Sequence, residues 1–474
     1  MSNNSLPDVL NVKPLPSIQT MNVETNQLDP IVINQGFCRF VLEKKGILDV
    51  GSVITFSVHP VAAGDGKCFL PIKTGIHSLI KRAVLKVGTK VLATSDDYAY
   101  YQTMKRAFKT NEEKSQKDLV KVGSCDVFEP DNQGDGQYQM KSVIYSNATT
   151  STTDPSLLLK TSTTECPVFS IKLSELFPMM RNVQLPLYLM DEHLSVELSF
   201  NSQPNGAGSV GKIACFENAY GGDTSISVGT ENVKFLADYL TYENERMDAT
   251  AKMVMSENGL VMPYEDLILT SASIPAIAAN PPAGDAVATQ QITRDLGLSG
   301  RNVRSILTHD HKSGNNPLLG QYSSDAYNVA DGYNFRINDK LEYSRDVVNE
   351  ARKANQLSQV FGTDINCLAG EYSNDPLTNK QTANHPQNNN VIKDNTFHGI
   401  SMRQAQGTMH IEGVDLSKSP MNVAGAGTLV GQKPVESLKT IRRTAENNTA
   451  RELRYFSLVE RAFTLRAGQV FVSA

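Results

Sequence analysis

The sequence predicts an all-β protein built from two equivalent halves. Short runs alternate apolar and polar residues, which is the pattern of strands with one buried face. A seven-residue pattern recurs at a separation of about half the chain. The length of 474 residues also exceeds what one hydrophobic core supports, so two or three domains are expected.

The clearest alternation is in the segment HLSVELSF at 193–200. Its apolar residues, from Leu194 to Phe200, fall on one side, and its polar residues fall on the other. Because successive side chains of a strand point to opposite faces, this segment predicts a strand that packs on a core. Comparable runs lie at 31–42, 53–58, 79–92, 233–242, 302–308, 408–415 and 453–472.

Long polar segments rich in Gly, Asn, Ser, Thr and Pro separate these runs. Connections of this length are uncommon in compact domains and usually carry function or intermolecular contacts. The predicted loops are 109–165, 203–230, 276–299, 362–397 and 417–450. Helices are predicted at 98–112, 243–256 and 344–360. Ser344 is the expected N-cap of the last helix.

The recurring pattern reads apolar, basic, apolar, turn residue, polar, Lys, apolar. It occurs as LKVGTKV at 85–91 and as FRINDKL at 335–341, at an offset of 250 residues. Gly88 and Asn338 occupy the turn position, and both residue types tolerate a left-handed backbone. A predicted helix follows each copy, so the pattern indicates two equivalent domains.

Composition excludes several function classes. The net charge is −5 and the pI about 6.0, and Lys13 is the only basic residue within 1–28, so no specific nucleic-acid binding is expected. No apolar stretch is long enough for a transmembrane segment, and the first residues lack a signal-peptide pattern. Six scattered cysteines without CxxC spacing predict reduced thiols.

The strongest candidate for a metal site is His309-Asp310-His311. An HxH pair on a strand places both imidazoles on one face, as metal ligation requires. The pair lies at a predicted strand end beside Lys312 and Ser313, without a third ligand nearby. We therefore predict a solvated loop here and no metal.

Two glycine-containing segments were considered as catalytic or phosphate sites. Gly297-Leu298-Ser299-Gly300 is one residue short of a nucleophile elbow and lacks its strand–turn–helix context. Residues 425–431 lack the GK[ST] ending of a phosphate-binding loop, so a flexible surface loop is expected. We predict no catalytic residue, no cofactor-binding residue and no metal ligand, and hence no enzyme.

Several segments together resemble the double jelly-roll major capsid proteins of nucleocytoplasmic large DNA viruses, virophages and polinton-like viruses. Residues 37–49 resemble the family's opening strand with its K-G-x-L-D turn, and LADYLTYENER at 236–246 resembles the strand that closes its first roll. The other similar segments, in the family's order, are 76–92, 176–200, 334–346 and 453–474.

The resemblance implies two tandem eight-stranded jelly rolls with short helices and long loops. It implies an N-terminal arm at 1–28, a first roll at 29–242, a connector at 243–262 and a second roll at 263–474. It also implies a homotrimeric, pseudo-hexagonal capsomer that builds an icosahedral virion shell in the host cytoplasm or nucleus. The implied partners are further copies of the chain, penton proteins and minor or cement capsid proteins.

Two other functions remain open from the residues alone. A carbohydrate-binding or adhesin-like jelly roll shares the β-rich pattern but would need a signal peptide and an aromatic-lined groove, and the chain has no Trp. A jelly-roll oxygenase or epimerase would need a metal triad, and no H-x-D…H arrangement has a convincing strand context.

Overall fold

A computed structural model provides the fold. It describes residues 21–57, 59–60, 67–71, 75–106, 109, 117–123, 129–130, 138–139, 141–146, 168–201, 212–213, 226–227, 233–276, 288–313, 332–361, 411–417, 427–443 and 450–473, except positions 35, 182, 243 and 349.

Strands dominate the described part of the first half. They are β1 (Asn22–Leu28), β2 (Val32–Asn34), β3 (Phe37–Val41), β4 (Ile47–Leu48), β5 (Val53–Ser57), β6 (His59–Pro60), β7 (Lys67–Pro71), β8 (Ile80–Val87), β9 (Lys90–Asp96), β10 (Glu129–Pro130), β11 (Tyr138–Gln139), β12 (Lys141–Ser146), β13 (Val168–Lys172), β14 (Leu194–Phe200), β15 (Lys212–Ile213), β16 (Ile226–Ser227) and β17 (Val233–Thr241).

The second half has fewer and longer strands within its described residues. They are β18 (Leu260–Ile274), β19 (Ala288–Asp295), β20 (Asn302–Lys312), β21 (Gly332–Ile337), β22 (Lys340–Leu341), β23 (Ile411–Asp415), β24 (Thr428–Leu429), β25 (Glu436–Arg443), β26 (Arg451–Arg466) and β27 (Gln469–Val472). The described α-helices of the chain are α1 (Tyr98–Arg106), α2 (Leu119–Val122), α3 (Leu173–Leu176), α4 (Asn244–Met255) and α5 (Glu350–Phe361). Short 3-10 helices cover Gly75–Leu79, Pro178–Arg181 and Leu187–Leu189.

The first half is an eight-stranded jelly roll. Its two main sheets have the orders β1-β17-β5-β13 and β3-β14-β8-β9, with β4 added to β17 and β2 added to β3. If the eight main strands are lettered B to I along the chain, these orders are B-I-D-G and C-H-E-F. Every pairing is antiparallel, as a jelly roll of two stacked sheets requires.

The second half repeats this topology. Its sheets have the orders β18-β26-β20-β23 and β19-β25-β21-β22, which are again B-I-D-G and C-H-E-F. The short strands β24 and β27 pair with β20 and β26. The predicted all-β class with two tandem jelly rolls is therefore confirmed.

Each roll has a hydrophobic core between its two sheets, and the first core continues into Tyr264, Phe463 and Leu465 of the second half. The first core includes Phe40, Ile54, Leu85, Val196 and Phe235, all at alternating positions of their strands. The second core is smaller and includes, among others, Phe335, Ile441, Tyr455 and Val459. Inward alternation on facing strands buries these side chains together, which is the main stabilising term of both rolls.

The 250-residue repeat is the hairpin between strands E and F of each roll. β8 ends at Val87 and β9 begins at Lys90, while β21 ends at Ile337 and β22 begins at Lys340. The turn residues Gly88 and Asn338 have φ of +57° and +50°. This left-handed backbone suits the twist of a two-residue hairpin turn, so the repeat is confirmed.

Long and short connections separate to opposite ends of each roll, because consecutive main strands run in opposite directions. The D–E, F–G and H–I connections of the first roll span 58–79, 97–167 and 201–232, whereas its E–F turn is 88–89. In the second roll the F–G connection at 342–410 is again the longest. Both rolls thus carry their largest insertions at the same type of end.

Some boundaries differ from the sequence-based predictions. Residues 22–28, assigned to an arm, form β1 and pair with β17 along their whole length. The connector contains α4, but β18 already begins at Leu260. The predicted helices end or begin elsewhere: α1 ends at Arg106, and α5 begins at Glu350, so Ser344 is not its N-cap.

Two predicted loops contain main strands. β19 lies within 276–299, and β24 and β25 lie within 417–450. These strands were missed because their core-facing positions are largely polar, as in β25, where Ser437 and Lys439 are buried. The predicted loop 109–165 also includes α2, whose Val122 belongs to the first core.

Candidate functional site at the seam between the rolls

A third buried cluster joins the two rolls, and we call it the seam. It consists of α1 of the first roll, α5 of the second, and the outer face of the sheet β18-β26-β20-β23. Its apolar members include Tyr101 and Met104 from α1, Leu357 from α5, and Leu307 and Phe456 from the sheet. The second B-I-D-G sheet is therefore covered on both faces.

His309, Asp310 and His311 lie at this seam, in β20. Their exposed fractions are 0%, 1% and 1%, so the prediction of a solvated loop was wrong. Strand alternation sends the two histidines to the outer face, towards α1, and Asp310 to the inner face. The sequence placed the imidazoles on one face correctly but could not show that the other roll covers them.

On the outer face, Tyr100 of α1 stacks against both imidazoles. The ring centroid of Tyr100 lies 5.2 Å from that of His309 and 4.9 Å from that of His311. The Arg454 guanidinium of β26 lies 4.3 Å from the Tyr100 ring centroid, a cation–π contact. One aromatic side chain of the first roll thus contacts three polar side chains of the second.

Arg454 also makes an ion pair across the seam. Its Nε donates to Oδ2 of Asp97 at 2.5 Å, just before α1 begins. Its Nη1 lies 3.2 Å from Oε2 of Glu452 and 3.0 Å from Nδ1 of His311. Nε2 of His311 lies 3.3 Å from the same Glu452 oxygen. The same Nη1 also contacts Nε2 of His311, so the guanidinium donates to the imidazole ring.

Burial and the nearby Arg454 charge lower the pKa of His311 to about 3. Its imidazole is therefore neutral near pH 7, where a positive charge beside Arg454 would be repelled. Burial also raises the pKa of the Tyr100 hydroxyl above its usual value. Neither group titrates in the range where general acid–base catalysis operates.

On the inner face, Asp310 belongs to a buried charge network inside the second roll. Nζ of Lys439 lies 2.8 Å from Oδ2 of Asp310 and 2.9 Å from Oε1 of Glu412. Nη1 of Arg451 lies 3.4 Å from the same Asp310 oxygen. Burial alone would lower the pKa of Lys439, but Asp310 and Glu412 raise it above its usual value.

This arrangement does not fit a metal centre. Within the described residues, no group of three or more His, Cys, Asp or Glu side chains could hold a metal ion. Arg454 and Lys439 bring positive charge to the positions that a cation would need on each face of β20. The contacts instead link α1 to β20 and β26, and link both sheets of the second roll.

Further polar contacts extend the seam towards the E–F end. Oη of Tyr264 donates to the Leu92 carbonyl at 2.8 Å, which connects β18 to β9. Nζ of Lys90 donates to the Val470 carbonyl at 2.6 Å. These contacts join strand F of the first roll to the B-I-D-G sheet of the second. The two rolls therefore contact each other through different sheets.

The two glycine-containing segments have structural roles. Gly297 and Gly300 both have positive φ in the turn between β19 and β20, and Ser299 Oγ donates to the Lys433 carbonyl at 3.2 Å. Within the other segment, β24 pairs with the start of β20, so residues 428–429 are not the flexible loop that we expected. Residues 425–426 lie outside the described part of the chain.

The sequence did not reveal Asp97, Tyr100 or Arg454 as site residues. Tyr100 belongs to the run YAYY at 98–101, and this cluster of aromatic residues on a short helix was the available signal. Asp97 and Arg454 are separated by more than 350 residues, and no local pattern pairs them.

Comparisons with known proteins address the fold. No family model matches the chain, and no curated protein matches its sequence. Among solved structures, PBCV-1 VP54, fitted into a reconstruction of the virophage Sputnik, matches with a TM-score of 0.58 at 10% identity, over 97% of this chain and 98% of that chain. The chain has the fold of viral capsid proteins.

Two further structures agree. The Faustovirus major capsid protein matches with a TM-score of 0.57 at 8% identity, over 94% of this chain and 91% of that chain. The Sputnik virophage structure solved by cryo-EM matches with a TM-score of 0.53 at 12% identity, over 100% of this chain and 93% of that chain. The likeness thus extends over both rolls and their order.

Proposed function

We propose that the chain is a major capsid protein that self-assembles into homotrimeric, pseudo-hexagonal capsomers of an icosahedral virion shell. The observation that carries the proposal is the double jelly roll, which accounts for nearly the whole chain and matches viral capsid proteins end to end. Two similar rolls side by side give one chain two comparable positions in a ring, so three chains supply six.

The seam supports a structural role. Its polar side chains bind each other across the rolls. The lowered pKa of His311 and the buried cations Arg454 and Lys439 suit a rigid structural contact better than a catalytic centre. A shell subunit has to hold its two rolls in one relative orientation, because neighbouring copies contact both. We therefore propose that the protein acts without catalysis, cofactor or bound metal.

The division of the chain is part of the same proposal. β17 ends at Thr241, α4 occupies the connection, and β18 begins at Leu260, which supports two rolls joined by a helical connector. The long insertions at one end of each roll offer surfaces for neighbouring loops and for penton and minor or cement proteins. The described residues include no helix long and apolar enough to cross a membrane.

The proposed location is the virion, after assembly in the host cytoplasm or nucleus. The net charge of −5 supports a shell that encloses a genome without binding it specifically. Contacts between like chains then supply the assembly energy.

Assembly is the direct test. Sedimentation analysis of the purified full chain at micromolar concentration should show a species of three times 51.9 kDa. Electron microscopy of that species should show particles with six-fold-like outlines. A chain that remains monomeric under these conditions would contradict the proposed function.

A metal analysis tests the structural interpretation of the histidines. Elemental analysis of the purified protein should find no stoichiometric transition metal. A His309→Ala/His311→Ala variant serves as the matched control, since its metal content should equal that of the wild type. A stoichiometric metal that disappears in this variant would refute the structural interpretation.

A further inference from the structure

Lys439, Asp310 and Glu412 lie together in the interior of the second roll, and we call them the buried triad. Lys439 belongs to β25 in one sheet, whereas Asp310 and Glu412 belong to the neighbouring strands β20 and β23 of the other sheet. The exposed fractions of the three side chains are 3%, 2% and 5%. One amine and two carboxyl groups therefore meet between the sheets, shielded from water.

The register of the strands places the two carboxyl groups beside each other. Glu412 pairs directly with Thr308 of β20. Asp310 is two residues further along β20, so it points to the same face and is a diagonal neighbour of Glu412. Lys439 reaches both carboxyl groups from the opposite sheet. Three strands of the sandwich therefore hold the triad in place.

The distances suit a condensation between the amine and a carboxyl group. Nζ of Lys439 lies 2.8 Å from Oδ2 of Asp310 and 2.9 Å from Oε1 of Glu412. Productive attack requires the reacting atoms to be about 3–3.5 Å apart, and Cγ of Asp310 carries the oxygen that Nζ already contacts. Reactants held in such a geometry behave as if their concentration were about 10⁵–10⁸ M, which favours bond formation.

Asp310 and Glu412 differ in their contact with Arg451. Nη1 of Arg451 lies 3.4 Å from the same Asp310 oxygen that Lys439 contacts. A guanidinium at this position stabilises the negative charge that develops on a carboxyl oxygen when an amine adds to its carbon. Asp310 is therefore the group that accepts the amine. Glu412, which also contacts Nζ, is the group that carries protons.

Burial makes the ionic form of the triad costly. Burial lowers the pKa of Lys439, and only the charges of Asp310 and Glu412 bring it above its ordinary value. Transfer of one proton from Nζ to Glu412 produces the uncharged amine, which is the nucleophilic form. An amide between Lys439 and Asp310 would remove two charges from the interior and leave Glu412 and Arg451 with one charge of each sign.

We propose that Lys439 and Asp310 join in an intramolecular isopeptide bond, with Glu412 as the proton carrier. Nζ attacks Cγ of Asp310, so that the N–C bond forms and the bond from Cγ to Oδ1 breaks. Both protons that the nitrogen loses pass through Glu412 to the leaving oxygen, which departs as water. Glu412 ends as a carboxylate, and the step uses no oxidant, cofactor or second chain.

The bond joins strands D and H across the two sheets of the second roll. It closes residues 310–439 into a covalent loop, which restricts the unfolded chain as a disulfide does but resists reduction. Each chain undergoes the step once, so it is a self-modification and not the turnover of a substrate. The inference goes beyond the proposed function and does not depend on it.

Intact-mass spectrometry of the denatured full chain tests the inference. The wild-type mass should be lower than its sequence mass by one water molecule. Lys439→Arg keeps the charge but removes the amine, and Glu412→Gln removes the proton carrier, so each should have the full mass of its own sequence. Lys234→Arg is the matched control, because its ion pair with Asp29 lies at the surface, and it should keep the deficit. Circular dichroism shows whether each variant is folded.

Peptide mapping of the wild type locates the bond without any variant. Trypsin does not cleave after an acylated lysine, so Lys439 should remain inside one peptide, joined to the peptide that contains Asp310. A wild-type chain of full sequence mass, or a bond from Lys439 to Glu412, would overturn the inference. A mass deficit that persists in either folded variant would also overturn it. Because the mass is read on single chains, each of these results leaves the proposed function untouched.

Discussion

The two B-I-D-G sheets have the same strand order but very different outer faces. In the second roll this face carries Leu307 and Phe456 and is buried under α1 and α5. In the first roll the corresponding face carries Lys234, Asp238 and Thr25, which bond to polar neighbours. The same topology therefore provides a buried seam in one roll and a polar outer face in the other.

This difference appears in the strand patterns. β5 alternates half-buried and buried positions cleanly, whereas Val303–His311 of β20 is buried at every position. A sheet covered on both faces loses the apolar–polar alternation, because neither face meets water. Sequence reasoning was accordingly more successful in the first roll.

The H strands differ in a second way. β14 faces its core with Leu194, Val196, Leu198 and Phe200, whereas β25 contributes Ser437 and Lys439. The first roll thus relies on apolar packing at this strand, and the second relies partly on a buried charge network. Breaking that network should have the largest effect on stability.

Lys439→Met should destabilise the second roll by about 3–5 kcal/mol, because Asp310 and Glu412 would lose their buried counter-ion. Hydrogen exchange of β20 and β26 amides measures the loss. Lys234→Met is the control, since its partly exposed ion pair with Asp29 contributes about 1 kcal/mol or less. A double variant that adds Glu412→Gln, and keeps Asp310 to pair with Arg451, should recover part of the stability. Equal effects of the two single lysine changes would contradict the network's role.

Acid should destabilise both rolls through buried histidines. Burial lowers the folded-state pKa of His77 and of His311 from an ordinary value of 6.5 to about 3. As pH falls from 6.5 towards 3, the unfolded chain therefore binds protons that the folded chain does not. Stability is lost in that window, at up to about 1.4 kcal/mol per pH unit for each histidine.

Histidine variants assign this acid sensitivity to a roll. His311→Gln should flatten the pH dependence at the seam, and His77→Gln should flatten it in the first roll, where His77 contacts Tyr98 Oη at 3.0 Å. Urea unfolding between pH 3 and 7 is the measurement. An unchanged slope in the double variant would show that other groups control the acid response.

Arg454→Ala should weaken the seam by about 2 kcal/mol, because Asp97 loses a charged hydrogen bond and Tyr100 loses its cation. Hydrogen exchange should rise in α1 and remain low in the core strands of each roll. Arg82→Ala is the matched control, because its exposed partner Asp96 adjoins Asp97 and the change should cost about 1 kcal/mol or less. Equal exchange in both variants would argue against a joint at this position.

Replacing residues 147–163, which follow β12, with a short Gly/Ser linker should have the smallest effect. Shortening a loop changes its closure entropy by only about 0.6 kcal/mol per twofold change in length. Circular dichroism should show unchanged β content and a similar melting temperature. A longer replacement that begins at residue 117 is the control. It also removes Val122 of the first core and Asp118, the ion-pair partner of Lys109. Loss of β signal in the shorter replacement would place the loop in the folding core.

The sequence was informative wherever a local rule controls the structure. Alternation located β14 and β17, and the 250-residue repeat located both E–F hairpins, because strand faces and turn conformations depend on neighbouring residues. The α4 helix was also found to within one residue at each end.

Tertiary structure decided what the polar residues do. His309, Asp310 and His311 read as a solvated strand end, and β25 read as a loop, because burial of polar groups depends on partners that are distant in the chain. Asp97 meets Arg454 only where the two rolls pack together, and Lys439 meets Asp310 only where the two sheets of the second roll face each other. The sequence by itself therefore determined the fold class and its duplication, whereas long-range packing determined the seam between the rolls and the charge network inside the second roll.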